Sequence, residues 1–131
     1  MTPIYCKVTE ADGTPCHGGD GAWDLPTLNP DGTWTPGAWR TVEGDIVACE
    51  RGLHAATREQ LIEWLGPAIW QIEYAETPID AGDKVVGRTA RLVRGFPSWD
   101  DRIARHFAAD CAEDVLHLAD PAWRETLEVV L

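Results

Sequence analysis

The stretch Gly44-Asp45-Ile46-Val47-Ala48-Cys49-Glu50-Arg51-Gly52-Leu53-His54-Ala55-Ala56-Thr57, with its continuation to Glu76, decides the fold. The apolar run Ile46 to Cys49 reads as a short buried strand, and Arg51-Gly52 as the tight turn that ends it. A sharp turn at this point calls for a positive φ, which Gly52 adopts without steric penalty. Thr57 opens a helix to Leu65. Thr57 and Gln60 have capping-box spacing, Leu61, Trp64 and Leu65 form the apolar stripe, and Gly66 supplies the left-handed stop. Ala68 to Tyr74 returns as a strand, with Trp70, Ile72 and Tyr74 on one side and Gln71 and Glu73 on the other.

Towards the N-terminus, Ile4, Cys6 and Val8 alternate with Tyr5, Lys7 and Thr9, the period of a half-buried strand. Asp12-Gly13 is turn chemistry, and Thr14 to Cys16 begins a hairpin partner. From His17 to Arg40 the chain is punctuated by Gly and Pro. It reads as a long irregular excursion with a short hairpin around Thr33 to Thr35, tied down by Trp23, Trp34 and Trp39. Towards the C-terminus, Lys84 to Val93 is a strand weakened at Gly87, carrying Arg88 and Arg91 and followed by Arg94. Ser98 and Asp101 form a second capping box before a long helix whose buried face is Ile103, Phe107, Cys111 and Val115. Asp120-Pro121 opens a final short helix to about Glu128. Strands early and the long helix late predict one α+β domain over residues 1–131: a small twisted, largely antiparallel sheet with one short and one long helix.

Eleven basic residues against 22 acidic ones give a formal charge of −11. Such a surface repels phosphate backbones, which argues against nucleic acid as a partner. Met1 is followed by neither a basic start nor an apolar run, and no segment reaches the length of a membrane span. The expectation is a cytoplasmic or virion protein with no membrane contact and free, reduced thiols at its four cysteines.

The run Cys49-Glu50-Arg51-Gly52-Leu53-His54 resembles the motif of a domain family of unknown function found in phages, prophages and actinobacterial genomes. Its pattern is Cys, two variable residues, Gly, Leu or Phe, then His. Ile69 to Glu76, Asp83-Lys84-Val85 and Asp110-Cys111-Ala112-Glu113 fit further parts of that pattern, so the resemblance covers roughly residues 40 to 118. It implies a genomic setting rather than a chemistry, with Cys49, Gly52 and His54 as its structural motif. The order strand, turn, helix, strand is also similar to the middle of the ADP-ribosyltransferase fold. That likeness implies an NAD-using enzyme with Tyr5, His54 and Thr57 lining the cleft, although the first strand offers Tyr5 and Lys7 where that family has Arg or His.

Four chemistries compete for these residues. Zinc needs four converging ligands. Cys49 and His54 make half a site, but His106 and Cys111 point about 140° apart on a helix, so no metal is expected. Cys49 with His54 and Arg51 has the residue types of a thiol nucleophile, yet Cys at the end of an apolar strand behaves as a small hydrophobe. The NAD reading lacks a placed carboxylate. The fourth reading rests on the long helix. From Trp99 to Leu131 there are eight acidic residues and three basic ones. Asp110, Glu113 and Asp114 cluster opposite the predicted buried stripe, as a docking face for the basic surface of a protein partner. The sequence therefore favours a protein-binding accessory module of phage or prophage type, without a cofactor, with the NAD-using enzyme as the other reading.

Overall fold

A computed structural model describes residues 4–18 and 21–114, and its central strand is β1, Tyr5–Thr9. The remaining strands, in chain order, are β2 (Thr27–Leu28), β3 (Trp34–Thr35), β4 (Arg40–Thr41), β5 (Leu53–Thr57), β6 (Ala68–Tyr74), β7 (Ile79–Asp80), β8 (Val85–Gly87) and β9 (Thr89–Gly95), followed by helix α1 (Asp101–Asp114). Seven of them form one sheet in the order β4-β9-β6-β1-β5-β8-β7, and β2 and β3 make a separate hairpin. Every pairing is antiparallel. The α+β class and the antiparallel sheet predicted from the sequence are therefore present. No helix among the described residues is long and apolar enough to cross a membrane.

Period-two alternation sorts side chains onto the two faces of the sheet. Cys6, Val8 and Ile69 bury one face beneath Leu61, Leu65, Phe96 and Trp99. Leu53, Ala55, Ile72, Val85, Ala90 and Leu92 bury the other, covered by Trp23. Trp23 is thus the strong tie for the excursion before β4. Trp39 is not a buried tie: it is 43% exposed and lies under the Arg91 guanidinium, 4.6 Å from ring centroid to Cζ. The turns Asp12-Gly13-Thr14 and Asp31-Gly32-Thr33 are built alike. Each Asp Oδ1 accepts from the Thr backbone N–H at 3.0 Å and the Thr hydroxyl at 2.6 Å. The hairpin partner expected over Thr14 to Cys16 reduces to one bridge, Thr9 to Pro15.

Several expectations give way. Ile46 to Cys49 is not a strand. Val47 and Arg51 bridge each other across a tight loop, with Val47 42% exposed. Four apolar residues between turn-formers fit a loop as well as a strand, and β8 already occupies the edge of β5. The strand begins only at Leu53, so His54 and Thr57 belong to β5 rather than to a turn and a helix start. The capping box forms all the same: the Thr57 N–H donates to Gln60 Oε1 at 3.0 Å, and the Gln60 N–H donates to Thr57 Oγ1 at 3.3 Å. It initiates only a single 3₁₀ turn, Leu61–Trp64, because Leu65 is already extended at ψ 145° and Pro67 disfavours helix at Gly66. Gly66 is accordingly not left-handed. What it provides is closeness, since a Cβ there would meet Val8 Cγ1 at 2.8 Å.

The predicted strand Lys84 to Val93 is two strands with different partners. β8 pairs with β5 and β7, and β9 pairs with β6 and β4, so Arg88 marks the passage between the halves of the sheet. Gly87 is where Tyr74 crosses. A Cβ there would lie 2.6 Å from Tyr74 Cδ1, and the Tyr74 hydroxyl donates to the Leu53 carbonyl at 2.7 Å. On α1 the cap is Asp100, whose Oδ1 accepts from the Ile103 N–H at 2.9 Å, and not Ser98. The stripe Ile103, Phe107, Cys111 is not a buried face: Ile103 is 41% exposed, and no residue of α1 is buried. Val115 and the predicted helix from Asp120 to Glu128 lie outside the described residues.

Candidate functional site

β1 is paired with β6 through five residues, Tyr5 to Thr9, but with β5 through only Tyr5–Thr57 and Cys6–Ala56. Beyond Cys6 the two central strands part. A cavity of about 500 Å³ opens between Lys7 and Val8 on one side and Leu53, His54 and Ala55 on the other. Pro15 to Gly18, Trp23, Arg40, the loop Cys49 to Gly52, Trp64 and Lys84 complete its walls. Its size is that of a small-molecule site.

The charge of the lining inverts that of the protein. Lys7, Arg40, Arg51 and Lys84 face it, against one carboxylate, Glu50. Both lysines of the chain are in this set. Arg40 stacks on Trp23 at 4.6 Å, and Lys84 Nζ lies 4.8 Å from the Trp64 ring centroid. Trp64 is held by its Nε1–H, which donates to the Asp83 carbonyl at 2.6 Å. His17 Nε2–H donates to the Trp64 carbonyl at 2.6 Å, closing the loop after β1 against the 3₁₀ turn. Burial, with the neighbouring Arg40 charge acting in the same direction, lowers the Lys7 pKa to about 8, while Cys16 acts the other way.

The structure explains the motif Cys49-x-x-Gly52-Leu53-His54 as a loop clasp. Cys49 has φ 67°, the only positive φ at a non-glycine among the described residues. Its N–H donates to His54 Nε2 at 2.8 Å, and its Sγ accepts from Lys84 Nζ at 2.9 Å. Gly52 has the expected positive φ, 144°, and a Cβ there would fall 2.3 Å from Val86 Cγ2. Leu53 is core, 5% exposed. His54 is half-buried, and its Nε2 is an acceptor, which fixes the ring as neutral with the proton on Nδ1. Burial lowers its pKa, the Lys7 and Lys84 charges lower it further, and a backbone hydrogen bond at Gly52 opposes them. Lys84 is raised, first by its bond to Cys49 and then by Asp83 at 3.4 Å.

Of the trio Tyr5, His54 and Thr57, the cavity collects only His54. Tyr5 packs edge-on against Tyr74 at 5.6 Å, and Thr57 is spent on Gln60. The thiol reading changes partner too: Lys84, not His54, touches the Cys49 sulfur. Among the described residues no three His, Cys, Asp or Glu side chains are grouped as metal ligands. Asp110, Glu113 and Asp114 sit exposed at the end of α1, away from the cavity. Among the described residues they form no ion pair, whereas Arg91 pairs with Glu73 at 3.2 Å, Arg94 bonds Gln71 and Arg88 bonds the Val42 carbonyl. Sequence reading missed Lys7, Arg40 and Lys84 as a set, because they lie on β1, β4 and the approach to β8 and meet only through the sheet order. No family model, curated protein or solved structure matches the chain.

Proposed function

We propose that this protein binds a small phosphate- or pyrophosphate-bearing ligand of the nucleotide class in the cleft between β1 and β5. One observation carries the reading: in a chain of charge −11, four of eleven basic side chains line one cavity beside a single carboxylate. Clustered like charges destabilise a fold unless a ligand of opposite sign occupies their centre, and walls of low dielectric strengthen that attraction. The half-buried Trp64 indole on the cavity wall adds planar apolar surface for a base. NAD has both elements, so the ADP-ribosyltransferase-like reading is the enzymatic form of this proposal, with Glu50 as the carboxylate at hand. Titration calorimetry with ADP, NAD and pyrophosphate tests it. The expected result is saturable binding that weakens with salt, and that Arg40→Ala weakens about tenfold or more while Arg105→Ala on α1 leaves it unchanged. Absence of binding at millimolar ligand, or equal loss in both variants, overturns it.

The acidic end of α1 supports a second reading, docking of a basic protein partner. It is favoured by the absence of ion pairs at Asp110, Glu113 and Asp114 among the described residues.

A further inference from the structure

We infer that Lys7 is an imine-forming residue: its amine condenses with the aldehyde of a phosphorylated sugar held in the β1–β5 cleft. The inference rests on the anion-binding reading and deepens it, because it assigns different tasks to the cations. Arg40 is a guanidinium stacked on Trp23 and always charged. Lys84 is engaged by the Cys49 sulfur and Asp83. Lys7 differs from both. Among the described residues its Nζ has no hydrogen-bond acceptor and no carboxylate partner, and it lies 6.0 Å from the centroid of the Trp23 ring that Arg40 also covers. Burial and the Arg40 charge disfavour the charged form of this amine, and they outweigh the opposing effect of Cys16. With a pKa of about 8, half of the Lys7 side chains are neutral at pH 8. An ordinary lysine would be neutral in roughly one molecule in three hundred at that pH. A desolvated amine beside another cation is a standard way of making lysine nucleophilic.

The chemistry balances without a redox partner. The Lys7 nitrogen lone pair attacks the carbonyl carbon and forms the C–N bond as the C=O π bond breaks onto oxygen, and one proton passes from nitrogen to that oxygen, with water as the relay, to give the carbinolamine. That species loses its hydroxyl as water, leaving the imine, so amine plus aldehyde gives imine plus water. Arg40, Arg51 and Lys84 face the same cavity and can hold the phosphates while this occurs.

Because Lys7 and Lys84 are the only lysines, the test is clean. The full chain is incubated at pH 8 with ADP-ribose, which carries a pyrophosphate, a base and a reducing sugar, and the imine is trapped with cyanoborohydride. Intact mass and peptide mapping then locate the adduct. The expected result is one adduct on the peptide containing Lys7, at least tenfold over Lys84 and the N-terminal amine, suppressed by excess ADP. Lys7→Arg should abolish it and Arg105→Ala on α1, outside the cavity, should retain it, both variants being checked for folding by circular dichroism. Adducts spread evenly over the amines, or a Lys7 adduct indifferent to ADP, would overturn the inference. A separate ADP titration keeps the two readings distinguishable. ADP binding without trapping defeats the imine alone, and the absence of both defeats both.

Discussion

Gly52→Ala perturbs the loop clasp at its tightest point. The new methyl would be placed 2.3 Å from Val86 Cγ2, 3.2 Å from Ile46 Cγ2 and 3.4 Å from the Gly87 carbonyl oxygen. Val86 is 1% exposed and has no free space into which to retreat. Forcing a methyl into such packing costs about 1–3 kcal/mol. The backbone adds its own term, because φ 144° is a region that side chains with a Cβ rarely adopt, at a further 1–3 kcal/mol or so. The expected loss is therefore about 2–6 kcal/mol. Gly87→Ala is the control that separates the two terms. Its Cβ would press on Tyr74 Cδ1 at 2.6 Å, but Gly87 has no positive φ, so only the packing term, about 1–3 kcal/mol, applies. Urea denaturation followed by tryptophan fluorescence measures both. Loss of less than about 1 kcal/mol in Gly52→Ala would refute the reasoning. A loss no larger than that of Gly87→Ala would remove the backbone term from it.

Other perturbations read other parts of the structure. His54 is held neutral, so the folded state binds fewer protons than the unfolded one just below the ordinary histidine range. Stability should be full above about pH 6.5 and fall as pH drops through the lowered folded pKa. Urea midpoints at descending pH should show that slope in the wild type and a flatter one in His54→Ala, and stability that rises on acidification would contradict the assignment. Gln60→Ala removes the bonds of one side chain to the Thr57 N–H, to Asp80 Oδ1 at 3.2 Å and to the Gly82 carbonyl at 3.0 Å. A loss of about 2–3 kcal/mol is expected from equilibrium unfolding, at about 1 kcal/mol per bond. Charge reversal at Asp110, Glu113 and Asp114 together should leave unfolding within about 0.5 kcal/mol of wild type, as for exposed residues without partners. It should slow association with any basic partner, and a large drop in melting temperature would end the docking reading.

Local grammar was legible and long-range register was not. The alternation of Tyr5 to Thr9 and Ala68 to Tyr74, the Asp-Gly turns, the Thr57–Gln60 reciprocity and the positive φ of Gly52 are each settled within a few residues, and each appears. Ile46 to Cys49 failed because a four-residue apolar run has no period to distinguish strand from loop. The stripe of α1 failed for a different reason. Spacing reports that a helix has an apolar face, not that anything in the chain covers it. The cavity was beyond reach because its existence depends on β1 leaving β5 after two pairs, a consequence of pairing that neither strand states alone.

That early parting gives the sheet two edges in its interior. Ordinarily unpaired strand edges lie at the rim of a sheet, where water satisfies them and other chains can add to them. Here Lys7 and Val8 face Leu53 to Ala55 across a gap that a guest molecule can enter. Main-chain amides and carbonyls on such walls persist whatever side chains are substituted. The polar pattern offered to a guest is thus inherited with the topology, and side chains are left to tune charge. The same gap divides the sheet into a four-strand part ending at β1 and a three-strand part beginning at β5, joined beside the gap by two residue pairs and the Tyr74–Leu53 brace, and elsewhere by the chain through Arg88 and the core under Trp23. A guest bonded to both walls belongs to the folded state alone, so occupancy raises the melting temperature by mass action. Hydrogen exchange along β5 is the place where that coupling is read first.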